Sequence, residues 1–132
     1  MRSERLWPVI GAAFFAYALA GLNLLQAYLG VLPPFVLLLA VCGPALLFAL
    51  AVAGARLAHR STGWFAGALA FGSFWAGFDF LLSFDPAGGS ALTPAASQVA
   101  MPALVQTASL FGFSGVTFII GVFAATMAAA AR

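Results

Sequence analysis

Four apolar runs set the pattern of the chain, separated by short polar or proline-rich breaks. Crossing ~30 Å of hydrocarbon takes about 20 apolar residues in a helix, so each run is a candidate membrane span. The first extends from Leu6 to Leu29 and ends at "GVLPP", because Pro33 and Pro34 cannot continue a helix interior. The second covers 34–55 and holds Pro44, whose kink is tolerable where neighbours satisfy the freed carbonyl. "ARLAHRSTG", Ala55 to Gly63, reads as a polar connector, and the third span covers 64–84. "DPAGGSALTPAASQ", Asp85 to Gln98, is a loop by its Gly, Pro, Ser and Thr content. The last apolar stretch, Val99 to Ala131, is about 33 residues, or roughly 50 Å as a helix, too long for one upright crossing. It divides at Gly112 and Gly115 into a short interfacial or re-entrant helix over 101–111 and a fourth span over 113–131. The expected fold is an all-α integral membrane bundle, a single domain over 1–132, with segment 85–111 as outer loop and interfacial helix.

Composition agrees. Of the 132 residues, 64% are hydrophobic and 6% charged, and the mean hydropathy is +1.11. Soluble domains carry about 25% charged residues, so this chain cannot cover a water-exposed surface. There is no lysine, and the charges are Arg2, Glu4, Arg5, Arg56, Arg60, Asp79, Asp85 and Arg132. All five arginines fall on one side if both termini are cytoplasmic. The Asp85–Gln98 loop then faces outward. The net charge of +2 is a matter of topology; a nucleic-acid face needs clustered basic residues, and none is available. "MRSER" resembles the start of a signal peptide, but the run behind it exceeds the usual h-region of about 7–15 residues.

Asp79, within "SFWAGFDFLLSFDPAGG", is the residue that composition does not explain. An aspartate at mid-bilayer costs about 2.5–3.5 kcal/mol on the insertion scale, so an ionisable residue in a span is a functional candidate by default. It lies near the outer end of its span, where the cost falls; an interfacial aspartate bonded to a neighbouring helix is the alternative reading. Trp75, at i−4, shares its face. Asn23, Gln26, Gln106, Ser109, Ser114 and Thr117 are further intramembrane polar groups, and such groups more often join helices than hold ligands. Gln26, Tyr28, Asp79, Gln98 and Gln106 are all expected near the outer leaflet. Gly63 with Gly67, Gly72 with Ala76, and Ser73 with Gly77 are small-xxx-small pairs that allow close helix packing. Cys42 is alone and reads as a small buried apolar residue. His59 has no second metal ligand beside it. The chain has no Gly-x-Ser-x-Gly, no Walker loop and no paired cysteines. No catalytic constellation, cofactor site or metal site is expected.

"FWAGFDFLLS" resembles the Trp-x3-Glu-x-Leu-Arg stretch in the membrane domain of bacterial apolipoprotein N-acyltransferases. Ser97 and Gln98 resemble the end of that family's Gly-Tyr-Ser-Gln. "PALVQTASLFGFSGVTFII", Pro102 to Ile120, is similar to the segment that follows, with Gln106, Gly112 and Phe118 on its positions. "GLN" and "GVLPP" loosely resemble earlier spans, so the likeness covers nearly the whole chain but is specific only over Trp75 to Ile120. It implies spans three to six of an eight-span enzyme of the bacterial inner membrane. In such enzymes an extracytoplasmic nitrilase-like domain carries a Glu-Lys-Cys triad and moves an acyl chain from phospholipid to a lipoprotein's N-terminal amine. That triad is absent here, so this chain alone is not expected to be catalytic. Asp79 stands where the family has Glu, and Leu82 where it has Arg; the outer loop also lacks the family's Gly-Phe-Pro-Trp and its Tyr. The implied partners are membrane lipid, a lipoprotein substrate, and a nitrilase-like domain in the same or another chain. Trp75, Asp79, Gln98 and Gln106 are the substrate-groove candidates, and Gly63, Gly67, Gly72, Gly77 and Gly112 the packing candidates. The alternative is a complete four-span protein acting as a non-catalytic assembly or lipid-binding subunit.

Overall fold

A computed structural model describes residues 6–84, 93–98 and 100–131. Among them the chain is built from helices and the turns between them: α1 (Leu6–Ala20), α2 (Leu22–Tyr28), α3 (Pro34–Thr62), α4 (Trp64–Leu82), a 3-10 helix (Pro94–Gln98) and α5 (Pro102–Ala130). Three segments are long and apolar enough to cross a membrane: Pro34–Thr62, Trp64–Leu82 and Ala108–Ala130. α1 is apolar but has 15 residues, about 22 Å of helix. The chain forms two compact units, Met1–Ala53 and Gly54–Arg132.

In the first unit, Gly21 separates α1 from α2, yet its φ of −75° and ψ of −8° stay near helical values. Its N–H still donates to Tyr17 O at 3.0 Å. A Cβ placed on Gly21 would lie 3.4 Å from Val41 Cγ1, an ordinary packing distance. The Tyr17 and Phe48 rings meet at 5.1 Å. Gly30, at φ +95°, takes the left-handed turn that a side chain would resist. Pro34 then opens α3 at a position where its missing N–H costs nothing, while the Pro33 carbonyl accepts from Val36 and Leu37 at 3.0 and 3.3 Å. Pro44 lies inside α3 and leaves the Ala40 carbonyl without its usual partner. Leu37, Val41, Ala45, Ala49 and Ala51 are buried.

The expected connector over 55–63 is instead helix up to Thr62. Ser61 Oγ donates back to Leu57 O and Ala58 O at 3.2 and 3.1 Å. His59 and Arg60 sit in the last turn, where positive charge suits the helix dipole. Polar character marks a wet helix end here, not a loop. The whole turn into α4 falls on Gly63, with φ +106°.

In the second unit α4 and α5 pack along much of their length and run antiparallel, since Gly72 meets Gly121 while Asp79 meets Thr117. Glycine makes this possible. A Cβ on Gly72 would come within 2.6 Å of Val122 Cγ2 and 2.9 Å of Phe118 O, and one on Gly121 within 3.0 Å of Gly72 Cα. The same device operates at Gly67, where a Cβ would lie 2.9 Å from His59 Cβ. α5 is not one straight rod: Gly112 has φ 69° and ψ −176° inside it, a conformation reserved for glycine. The chain bends at the residue where the apolar stretch divides in the sequence.

Candidate functional site: a cleft at the kink of α5

Gly67, Ala68, Gly72 and Asp79 are the buried residues of α4, and the last three recur at helical spacing as one stripe. Asp79 is the last of them before the helix ends at Leu82, so the packed seam carries a carboxylate at its α4 C-terminal end. The residue is 6% exposed and Thr117 1%. Thr117 Oγ1 donates to Asp79 Oδ2 at 2.8 Å. A carboxylate oxygen buried this deeply needs such a donor, because an unpaired one would bear its full desolvation cost.

Beside this pair lies a cleft of about 240 Å³, lined by Asp79, Phe80, Ser83, Thr93, Phe111, Gly112, Phe113 and Ser114. Three structural features make it. The last turn of α4 supplies Asp79, Phe80 and Ser83. The entry into the 3-10 helix, which packs on α5, supplies Thr93. The break at Gly112 opens the α5 wall and leaves Phe111 and Phe113 on its two sides. Ser83 Oγ donates to Phe80 O at 2.6 Å, which leaves its lone pairs as acceptors. Thr93 is 7% exposed, and its Oγ1 is buried with no hydrogen-bond partner among the described residues.

Of the four groove candidates, Asp79 alone lines this cleft. Trp75, one turn earlier, is half-buried, and its ring meets Phe71 at 5.4 Å. Gln98 is half-buried in the 3-10 helix. Gln106 is exposed on the part of α5 that precedes the kink. The structure brings Asp79 to the cleft and leaves the other three outside its lining: α4 places Trp75 against its own upstream aromatic, and Gln106 stands on the segment of α5 before the bend at Gly112. The packing glycines divide similarly. Gly67 and Gly72 sit at close approaches, whereas a Cβ at Gly63, Gly77 or Gly112 would meet nothing within 4 Å. Gly63 and Gly112 serve the backbone instead, and Gly77 is exposed on α4. Sequence reasoning named Thr117 and Ser114 only as general intramembrane polar groups and missed Thr93 and Ser83. The pairing of Thr117 with Asp79, 38 residues apart, has no local signal. For Thr93, the one available hint is its place immediately before Pro94, a turn-initiating position.

No group of three or more His, Cys, Asp or Glu side chains capable of holding a metal occurs among the described residues. Cys42 is half-buried and outside the cleft.

A chain whose described residues form helices, with three membrane-length segments among them, a glycine-packed helix pair and a polar cleft at its end, is a membrane protein with a small lined recess. Its family can be given as well. The family model described as apolipoprotein N-acyltransferase N-terminal domain matches residues 2–126, and the chain belongs to that family. Comparison with curated proteins and with solved structures returned no match.

Proposed function

We propose that this chain is the lipid-facing membrane part of an apolipoprotein N-acyltransferase-like protein. Its cleft holds part of a phospholipid or lipoprotein substrate beneath a nitrilase-like domain carried in the same or another chain. The observation that carries the reading is the cleft itself: a buried carboxylate and hydroxyls beside exposed aromatic rings, at the end of a membrane-length helix pair. Family membership supports the acyl-transfer context.

In this reading α1 and α2 act together as a first span, because Leu6 to Tyr28 is about 34 Å of nearly continuous helix. With α3, α4 and the part of α5 after Gly112 the chain crosses four times. The α5 segment before the kink lies in the interface, where exposed Leu110 and Phe111 meet lipid. Arginine placement supports cytoplasmic termini and an outward cleft in the bacterial inner membrane.

The test is Asp79→Asn in the only genomic copy, with lipoprotein N-acylation read by mass spectrometry of mature lipoproteins. N-acylation is expected to fall about tenfold, the effect of losing about 1.4 kcal/mol of binding, at unchanged protein level. Unchanged N-acylation at equal expression would overturn the assignment of the cleft.

A further inference from the structure

The hydrogen-bonding inventory of the cleft restricts what can fill it. Asp79 gives Oδ2 to Thr117, which leaves the second carboxylate oxygen as an acceptor. Ser83 uses its proton on Phe80 O and offers only lone pairs. Thr93 has a hydroxyl proton and lone pairs, both unserved among the described residues, in a side chain more than nine-tenths buried against the cleft. Buried polar atoms are rarely left without partners. A ligand that completes this set must therefore donate to Asp79 and Ser83 and accept from Thr93.

A phosphate only accepts, and it would face a carboxylate. An ammonium only donates, and it leaves the Thr93 proton unserved. A hydroxyl does both, and two hydroxyls on neighbouring carbons serve two wall groups together. The volume of about 240 Å³ exceeds what one water requires, and Phe80, Phe111 and Phe113 offer apolar surface to whatever carbon chain follows.

We propose that the cleft is a binding site for a glycerol-type polyol head, held by Asp79 and Thr93, with its attached apolar chain leaving along the phenylalanines. This rests on the cleft being lipid-facing, as proposed above, and adds a ligand class to it.

The whole chain, reconstituted in phosphatidylcholine nanodiscs, is challenged with 1-monoacylglycerol, and retained ligand is read by native mass spectrometry. The fatty-acid methyl ester of the same chain length removes the hydroxyls and keeps the tail. Monoacylglycerol is expected to be retained about tenfold better than the ester. Thr93→Val should abolish that advantage and Thr93→Ser should restore it. The valine variant removes a hydroxyl that has no partner among the described residues, so it should fold as well as the parent, and its circular dichroism spectrum and melting profile should match. Displacement by free glycerol at concentrations near that of the glyceride would support the polyol chemistry and assign its source to solution, not to lipid. Equal retention of ester and glyceride would overturn the proposal and leave a cleft that holds water only. Better retention of phosphatidylethanolamine, unaffected by Thr93→Val, would overturn it in favour of an ammonium. Should N-acylation depend on Asp79 while glyceride is not retained, the ligand class fails and the assignment of the cleft stands.

Discussion

The two compact units bring helices together by different means. In the first, α1 contributes no buried residue; the Tyr17 ring meets Phe48 on α3, and Val41 lies at ordinary distance from Gly21, the residue that follows α1. In the second, α4 and α5 approach until the Gly72 and Gly121 backbones nearly touch, and a buried hydrogen bond closes the same seam. Side-chain contacts can be re-formed by a neighbouring rotamer. A backbone contact has no such freedom, and breaking a buried polar pair leaves its groups unserved. The second unit should therefore be far less tolerant of small changes, and it is the one that carries the cleft.

The largest effect that would test this contrast is at Gly72. Gly72→Leu must displace Val122 and the Phe118 carbonyl, and overpacking of this kind costs about 1–3 kcal/mol and occasionally more. Unfolding in mixed micelles by dodecyl sulfate titration should show at least the upper part of that range; a loss under about 0.5 kcal/mol, the level of an inert surface change, would break the comparison. Next comes the polar pair. Asp79→Ala leaves the Thr117 hydroxyl buried and unserved, a loss of about 1–3 kcal/mol. A double-mutant cycle with Thr117→Val should return a coupling of about 0.6–1.7 kcal/mol, the range for hydrogen bonds between membrane helices. A coupling of zero would mean that the seam is held by glycine alone. In the first unit, Tyr17→Leu removes a ring pair worth about 0.5–1.5 kcal/mol beyond its area, and the leucine recovers part of the contact, so the net loss should sit at or below the low end. The smallest effect belongs to Gly77→Ala. Nothing lies within 4 Å of a Cβ there, and alanine is the better helix former by up to about 1 kcal/mol, so the variant should be neutral or slightly more stable. A destabilisation equal to that of Gly72→Leu would show that the close approach does not govern the seam.

Much of the architecture is legible in the sequence because its determinants are local. Apolar length marks spans over 34–55 and 64–84, which fall on the helices Pro34–Thr62 and Trp64–Leu82, and the unusual length of the last run shows that something must interrupt it near Gly112. Misreadings arise where local character and structural role diverge. The residues from Ala55 to Thr62 look like a loop because they are polar, yet a helix that leaves the apolar layer keeps its hydrogen bonds and changes only its side chains. Gly77 has the same small-residue spacing as Gly72 but faces away from the seam, because the two glycines are five residues apart and so on different faces of the helix. The motif likeness around Trp75 to Ile120 led to the right family without indicating which polar residues share a cavity. That depends on the antiparallel register of α4 and α5 and on where the 3-10 helix settles, and both are properties of the folded chain. Asp79 stood out because a carboxylate is rare in such a setting; Thr93 did not, because a threonine beside a proline is ordinary until its hydroxyl is seen to lack a partner among the described residues.

The joint at Gly63 bears on how the chain enters its membrane. Its N–H donates to His59 O, and its carbonyl accepts from Gly67, both at 3.1 Å, so the hydrogen-bonded ladder is handed across the reversal by one residue. α3 and α4 have no slack between them. An insertion machinery that releases one segment at a time would have to hold the start of α4 at the surface directly against the end of α3. So tight a joint favours entry of the two as a single hairpin. A flexible insert of several residues at this point would uncouple the two events, and the appearance of chains with only α3 inserted would be its visible result.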